Sequence, residues 1–204
     1  MLKKAILNNA RGLALFAFFT AGIIAITQVI TQERISDNRI AYESQLLVSL
    51  LPAELPEQAI LQQRYELGGL EQLELLAGPE HLWRAFNERR QVAAIILPVR
   101  APNGYTEAID LLVAINPEGE VMGFAVTQHR ETPGLGDLIE TNRSDWYQQL
   151  LGQSLEQQPN WGLVRDGGEF DSLTGATITS RATLAAVANA LKFYQQHQSL
   201  LLIP

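Results

Sequence analysis

The sequence predicts an α+β domain behind one N-terminal membrane helix, with an antiparallel sheet covered by helices. Three observations carry that prediction. Residues 12–32 contain no charged side chain. Two apolar runs in the middle of the chain are joined by a short Pro/Gly turn, the sign of an antiparallel hairpin. Near the C-terminus, Leu184, Val187, Ala188, Leu191 and Tyr194 recur at helical spacing. No strand–helix–strand alternation of the dinucleotide-binding type appears.

The uncharged stretch comes first. Its 21 residues rise about 1.5 Å each and span about 30 Å, the thickness of a bilayer core. Lys3, Lys4 and Arg11 precede it, and positive flanks stay in the cytoplasm. The expected layout is a cytoplasmic N-terminus over 1–11, a membrane helix over 12–32, and everything later outside the cytoplasm. A cleaved signal peptide is the competing reading. The apolar run is long for a signal core, and Ala21 and Ala25 form no clean small-x-small cleavage site.

Residues 33–204 are enough for one domain with its own core. All 22 acidic residues lie there, with 12 of the 15 basic ones, a net charge of −10. Such a surface argues against a nucleic-acid partner, whose groove needs a basic stripe. The chain has no cysteine. Disulfides, thiolate nucleophiles and cysteine-ligated iron–sulfur clusters are therefore excluded. A redox centre here must be organic or held by other ligands.

The elements follow in order. Ile35, Ile40, Leu47 and Leu51 sit among polar neighbours, and Pro52 ends the run, so 34–51 reads as a helix continuing the anchor as a stalk. A helix, a turn at Gly68-Gly69 and an irregular connection are expected over 52–79. Leu82, Trp83 and Phe86 predict a short helix over 80–90. Thus 33–91 is read as stalk and connecting region, and 92–204 as the functional domain. Val92–Val99 is a buried strand by its continuous apolar run. Tyr105–Ile115 is a second, with Ile109, Leu111, Val113 and Ile115 on one face. Asn116-Pro117-Glu118-Gly119 turns the chain into a third strand, Glu120–Gln128. Ser144 is placed to cap a short helix through Leu151. The stretch 162–170, with Gly167-Gly168, reads as a loop.

That loop leads into Asp-Ser-Leu-Thr-Gly-Ala-Thr-Ile-Thr, residues 171–179. Thr174 and Thr177 bracket Gly175 and Ala176 directly before the last helix. A hydroxyl there lies near unpaired helix N–H groups and the positive end of the helix dipole, a place that favours phosphate. The same spacing is met if Thr177, Thr179 or Ser180 simply caps the helix. About forty residues earlier, Glu131-Thr132-Pro133-Gly134-Leu135-Gly136 holds only half of a dinucleotide fingerprint and follows a hairpin. By itself it is a tight loop whose glycines permit unusual backbone angles.

Both segments resemble a known family. The nonapeptide matches the flavinylation motif Asp-x-x-(Ser/Thr)-Gly-Ala-(Thr/Ser) at every specified position. That motif belongs to the FMN-binding domain shared by the G subunit of the Rnf ion-translocating electron-transport complex and the C subunit of the sodium-pumping NADH:quinone reductase. Glu131–Gly136 is a second signature of the family. The short anchor and compact length are most similar to the Rnf G subunit. The resemblance implies FMN attached covalently through a phosphoester to Thr177, with Thr174, Gly175 and Ala176 around it. It also implies a loop of Glu131, Thr132, Gly134, Leu135 and Gly136 beside the flavin. The implied role is electron transfer in an ion-translocating membrane oxidoreductase of the bacterial inner membrane, with the FMN domain periplasmic. The resemblance implies a redox subunit of a translocase, not a stand-alone enzyme, and assigns no catalytic residue. Its implied partners are the other membrane and iron–sulfur or flavin subunits, with a flavin transferase using FAD for maturation.

Several residues keep two readings. Asp171 either bonds nearby backbone N–H groups or serves attachment of the flavin. Arg181 either pairs with the phosphodiester or is a solvated surface arginine. Glu131 is placed to hydrogen-bond a flavin edge. Trp83, Trp146 and Trp161 read as core or rim residues in preference to electron relays. His81, His129 and His197 lack metal-ligand spacing. Two other functions remain open: the C-type subunit of the sodium pump, and a flavin-free membrane-anchored assembly module. Ultraviolet fluorescence of the denatured chain separates the last from both flavoproteins.

Overall fold

A computed structural model describes residues 2–51, 64–66 and 81–203. The chain divides into two compact units, Met1–Glu43 and Ser44–Pro204. A single helix, α1 (Leu2–Ser49), takes in the stalk helix expected over 34–51 except its last two residues. Within it, Asn9–Gln32 is long and apolar enough to cross a membrane. Its Leu13, Phe16, Phe18, Phe19, Ile24 and Val29 side chains stand exposed, as a lipid-facing surface requires.

The second unit is built on a sheet of order β1-β2-β3-β4-β5, antiparallel throughout. The strands are β1 (Arg64–Glu66), β2 (His81–Phe86), β3 (Val92–Ala101), β4 (Ile109–Ile115) and β5 (Val121–Gln128). The hairpin turn at Asn116–Gly119 forms as expected, with Gly119 N donating to Asn116 O at 3.0 Å. The β4 strand starts at Ile109 where the sequence predicts Tyr105.

The helix expected over 80–90 is instead strand β2, paired with β3 from Trp83↔Ile96 to Phe86↔Val92. Both faces of β2 are buried. Leu82 and Phe86 pack into one core, Trp83 and Ala85 into the other. A strand buried on both sides loses the polar alternation that marks strands, so its apolar residues imitate a helical face. Of the helix, turn and connection expected over 52–79, only Arg64–Glu66 is described, and it is a strand. The rest lies outside the described residues.

Helix α2 (Thr177–Leu201) lies on one face of the sheet. Its Leu184, Val187, Leu191 and Tyr194 pack with Ile95, Leu97, Ile109, Leu111, Val113 and Ile115. Burying each such side chain contributes about 1.5–3 kcal/mol. The Tyr194 hydroxyl and Gln198 Nε2 both donate to Pro117 O at 2.9 Å, tying α2 to the β4–β5 turn. Helix α2 is therefore seated along its length, which fixes the position of its first residue, Thr177.

Candidate functional site

Two loops meet at the start of α2. The first follows β5. The Thr132 carbonyl accepts from Leu135 N at 3.2 Å and Gly136 N at 3.0 Å, folding Glu131–Gly136 into a tight turn. Gly134 has φ +76°, a conformation that favours glycine. Gly136 is needed for another reason: a Cβ there would sit 2.8 Å from Glu131 Cβ and 3.1 Å from Thr179 Oγ1. The second loop is the 171–176 segment. Its Gly175 has φ +80°, and a Cβ there would lie 3.0 Å from Leu135 Cδ2. The glycines thus let the two loops close on each other.

Between them lies a cleft of about 470 Å³, lined by Tyr105, Glu131, Thr132, Leu135, Gly136 and Gly175–Thr179. That is the size of a small-molecule site. Leu135, Tyr105, Ala176 and Ile178 supply apolar surface. Glu131 is a buried carboxylate at 4 % exposure. It accepts from Thr179 Oγ1 and from Thr106 N at 3.1 Å, so its charge is matched by donors. Behind it, Glu131 N donates to His129 Nδ1 at 3.0 Å, which leaves His129 Nε2 as the donor to Glu140 at 2.8 Å.

None of the three hydroxyls near the helix start acts as its cap. Ala176 occupies the N-cap position, with no side-chain cap bond. Ser180 Oγ receives Leu173 N at 3.0 Å and donates to Ala176 O at 3.0 Å, pinning the motif loop to the helix. Thr179 is taken by Glu131. Thr177 Oγ1 stands half-buried in the cleft wall and accepts from Arg165 Nη1 at 2.9 Å. This arrangement leaves the Thr177 oxygen available to a ligand in the cleft.

Residues 104–192 match the model of the FMN-binding domain, and residues 1–50 match that of the RnfG N-terminal region. A protein of Pseudoalteromonas atlantica, named as the G subunit of an ion-translocating oxidoreductase complex, is 38 % identical over 202 residues, 97 % of this chain and 92 % of that one. Its namesake from Pseudomonas aeruginosa PAO1 is 36 % identical over 205 residues, covering 99 % and 94 %. The Escherichia coli K12 protein of that name is 38 % identical over 189 residues, covering 92 % and 90 %. The chain belongs to the G-subunit family of ion-translocating oxidoreductase complexes.

In this G-subunit chain, seven of the residues singled out from the sequence come together in one cleft: Thr177, Gly175, Ala176, Glu131, Thr132, Leu135 and Gly136. Thr174 and Gly134 are exposed and do not line it. The Asp171 carboxylate is exposed; its backbone N–H donates to Gln149 Oε1 at 2.8 Å, and its carbonyl accepts from Trp146 Nε1 at 2.7 Å. Arg181 pairs with Asp166, through Nε at 2.8 Å and Nη2 at 3.1 Å. The cation beside Thr177 is Arg165, which sequence reading missed. It stands twelve residues upstream, within a loop that only tertiary structure folds back. Tyr105 was missed for the same reason. Thr179 was visible in the motif, but its bond to Glu131 was not. Among the described residues no cluster of three or more acidic or histidine side chains could hold a metal ion.

Proposed function

We propose that this chain is the electron-transfer subunit of an ion-translocating oxidoreductase complex and carries FMN esterified through phosphate to Thr177 Oγ1. The observation that carries the reading is the Thr177 hydroxyl in the wall of the cleft, at the end of an unbroken Asp171–Thr177 motif. The cleft suits the cofactor. Gly136 and Gly175 stand where a Cβ would crowd a neighbouring side chain, Leu135 and Ile178 offer apolar contact, and Arg165 offers positive charge beside the attachment oxygen.

When bound, FMN supplies one- and two-electron exchange, and the protein supplies orientation and electrostatics. Thr177 holds the cofactor against loss, which matters in a compartment where it is not readily replaced. Glu131, fixed by Thr179 and Thr106, places a negative charge in the cleft wall. The Glu131–Gly136 turn and the Gly175 segment shape the rest of the site. Attachment uses a separate transferase with FAD as donor. The new bond is Thr177 Oγ1–P. The pyrophosphate P–O bond breaks, AMP leaves with the electron pair, and the hydroxyl proton is released.

The 12–32 segment anchors the chain by a single span in the bacterial inner membrane. Lys3, Lys4 and Arg11 keep the N-terminus cytoplasmic and place the FMN domain in the periplasm. The partners are the neighbouring redox subunits of the complex. A denaturing gel viewed under ultraviolet light tests the covalent flavin: the 22.6 kDa band fluoresces if it is present and stays dark if it is not.

A further inference from the structure

Arg165 is held in place by more than its own loop. It sits in a single 3₁₀ turn, Val164–Asp166, closed by Gly167 at φ +86°. Val164 N donates to Phe170 O at 2.8 Å, and Asn160 Nδ2 donates to Gly167 O at 2.7 Å. The neighbouring Asp166 is gripped by both arms of Arg181, one turn into α2. The turn bearing Arg165 is thereby fastened to the helix whose first residue is Thr177.

The charges in this trio do not cancel. Arg181 neutralises Asp166, and Arg165 remains as a net cation directed at Thr177 Oγ1, 2.9 Å away. A neutral hydroxyl gives an arginine little return for such fixing. A phosphodiester does, because the planar guanidinium has five N–H donors and matches phosphate oxygens in pairs.

We propose that Arg165 is the phosphate-binding cation of the Thr177 ester, and that the Asp166–Arg181 ion pair is the device that positions it. The inference rests on the reading that FMN is attached at Thr177. It gives the two arginines different work: Arg165 meets the phosphate, while Arg181 acts only through Asp166.

The test uses the full-length chain in detergent, flavinylated by the transferase, with intact mass to count attached flavin. R165Q is expected to lower the initial rate of incorporation about tenfold, the cost of one charge-assisted hydrogen bond. R165K is expected to restore most of that rate. D166N should lose less, in the same direction. In flavinylated protein, the ³¹P resonance of the phosphodiester should move in R165Q and return toward its original position in R165K. Both arginine variants are expected to keep the wild-type melting temperature, because Arg165 is exposed. Wild-type protein lacking flavin on Thr177 would overturn the FMN reading and this inference together. Flavinylated wild type, with R165Q unchanged in rate and ³¹P shift, would overturn the inference alone. R165K as impaired as R165Q would rule out charge pairing. An unaltered D166N would remove the positioning role.

Discussion

On one face of the sheet, Ile95, Leu97, Leu111, Val113 and Ile115 pack under Leu184, Val187, Leu191 and Tyr194 of α2. On the other, Ala85, Ala94, Ala114 and Ala125, with Trp83, Ile96 and Leu112, lie beneath Leu47, in the last turn of α1, and Leu50 and Leu51 just after it. The first face is bulky and interdigitated. The second is richer in alanine and admits backbone at close range: a Cβ on Gly123 would overlap the Leu50 carbonyl oxygen. The contrast assigns different tasks. The bulky face seats α2 and so fixes Thr177 and the cleft. The alanine-rich face receives the chain just after the anchor helix.

The largest effect expected is on the bulky face. Leu191→Ala removes a side chain that is 2 % exposed and should cost about 2–5 kcal/mol, read by urea unfolding of the full chain in detergent. On the alanine-rich face, Gly123→Val should cost about 1–3 kcal/mol by overpacking. Its unfolding should also expose Trp83, which packs in the same cluster as Leu50, at lower denaturant than in wild type. A loss from Gly123→Val clearly larger than that of Leu191→Ala would break the contrast between the faces.

Changes at the cleft should alter its contents. Gly136→Val forces a contact with Glu131, whose Cβ would stand 2.8 Å from the new Cβ. The variant should retain covalent FMN but show a shifted flavin absorption band or midpoint potential. An unchanged spectrum and potential in fully flavinylated protein would mean that the Glu131–Gly136 turn does not govern the cofactor. The mildest change concerns topology. Asn103 lies in the exposed turn between β3 and β4, in a chain without cysteine. Asn103→Cys should react with an impermeant thiol reagent in spheroplasts. Protection until lysis would place the domain in the cytoplasm.

The same contrast explains what the sequence revealed. Helix α2 was legible because its apolar residues keep one period from Leu184 to Tyr194, and the β4–β5 hairpin because Asn116–Gly119 has turn chemistry. The stalk helix expected over 34–51 was legible except for its end, which comes at Ser49. Strand β2 was misread because both its sides are covered. The role of Gly123 was invisible, since it depends on Leu50 arriving from far upstream in the chain. At the site, Thr177 and the glycines of both loops could be singled out from two short motifs. Their convergence, and the pairing of Arg165 with Thr177 against Arg181 with Asp166, arises only when separate loops fold together.

Thr177, and no other hydroxyl at the start of α2, is expected to carry the cofactor. Tryptic peptide mapping tests it directly, because cleavage at Arg165 and Arg181 releases residues 166–181 with Thr174, Thr177, Thr179 and Ser180 together. Fragmentation should find FMN less one water on Thr177, and Thr177→Val should yield a folded chain with no covalent flavin. Flavin on Thr174 or Thr179, or still attached in Thr177→Val, would show that the ester is not made at Thr177.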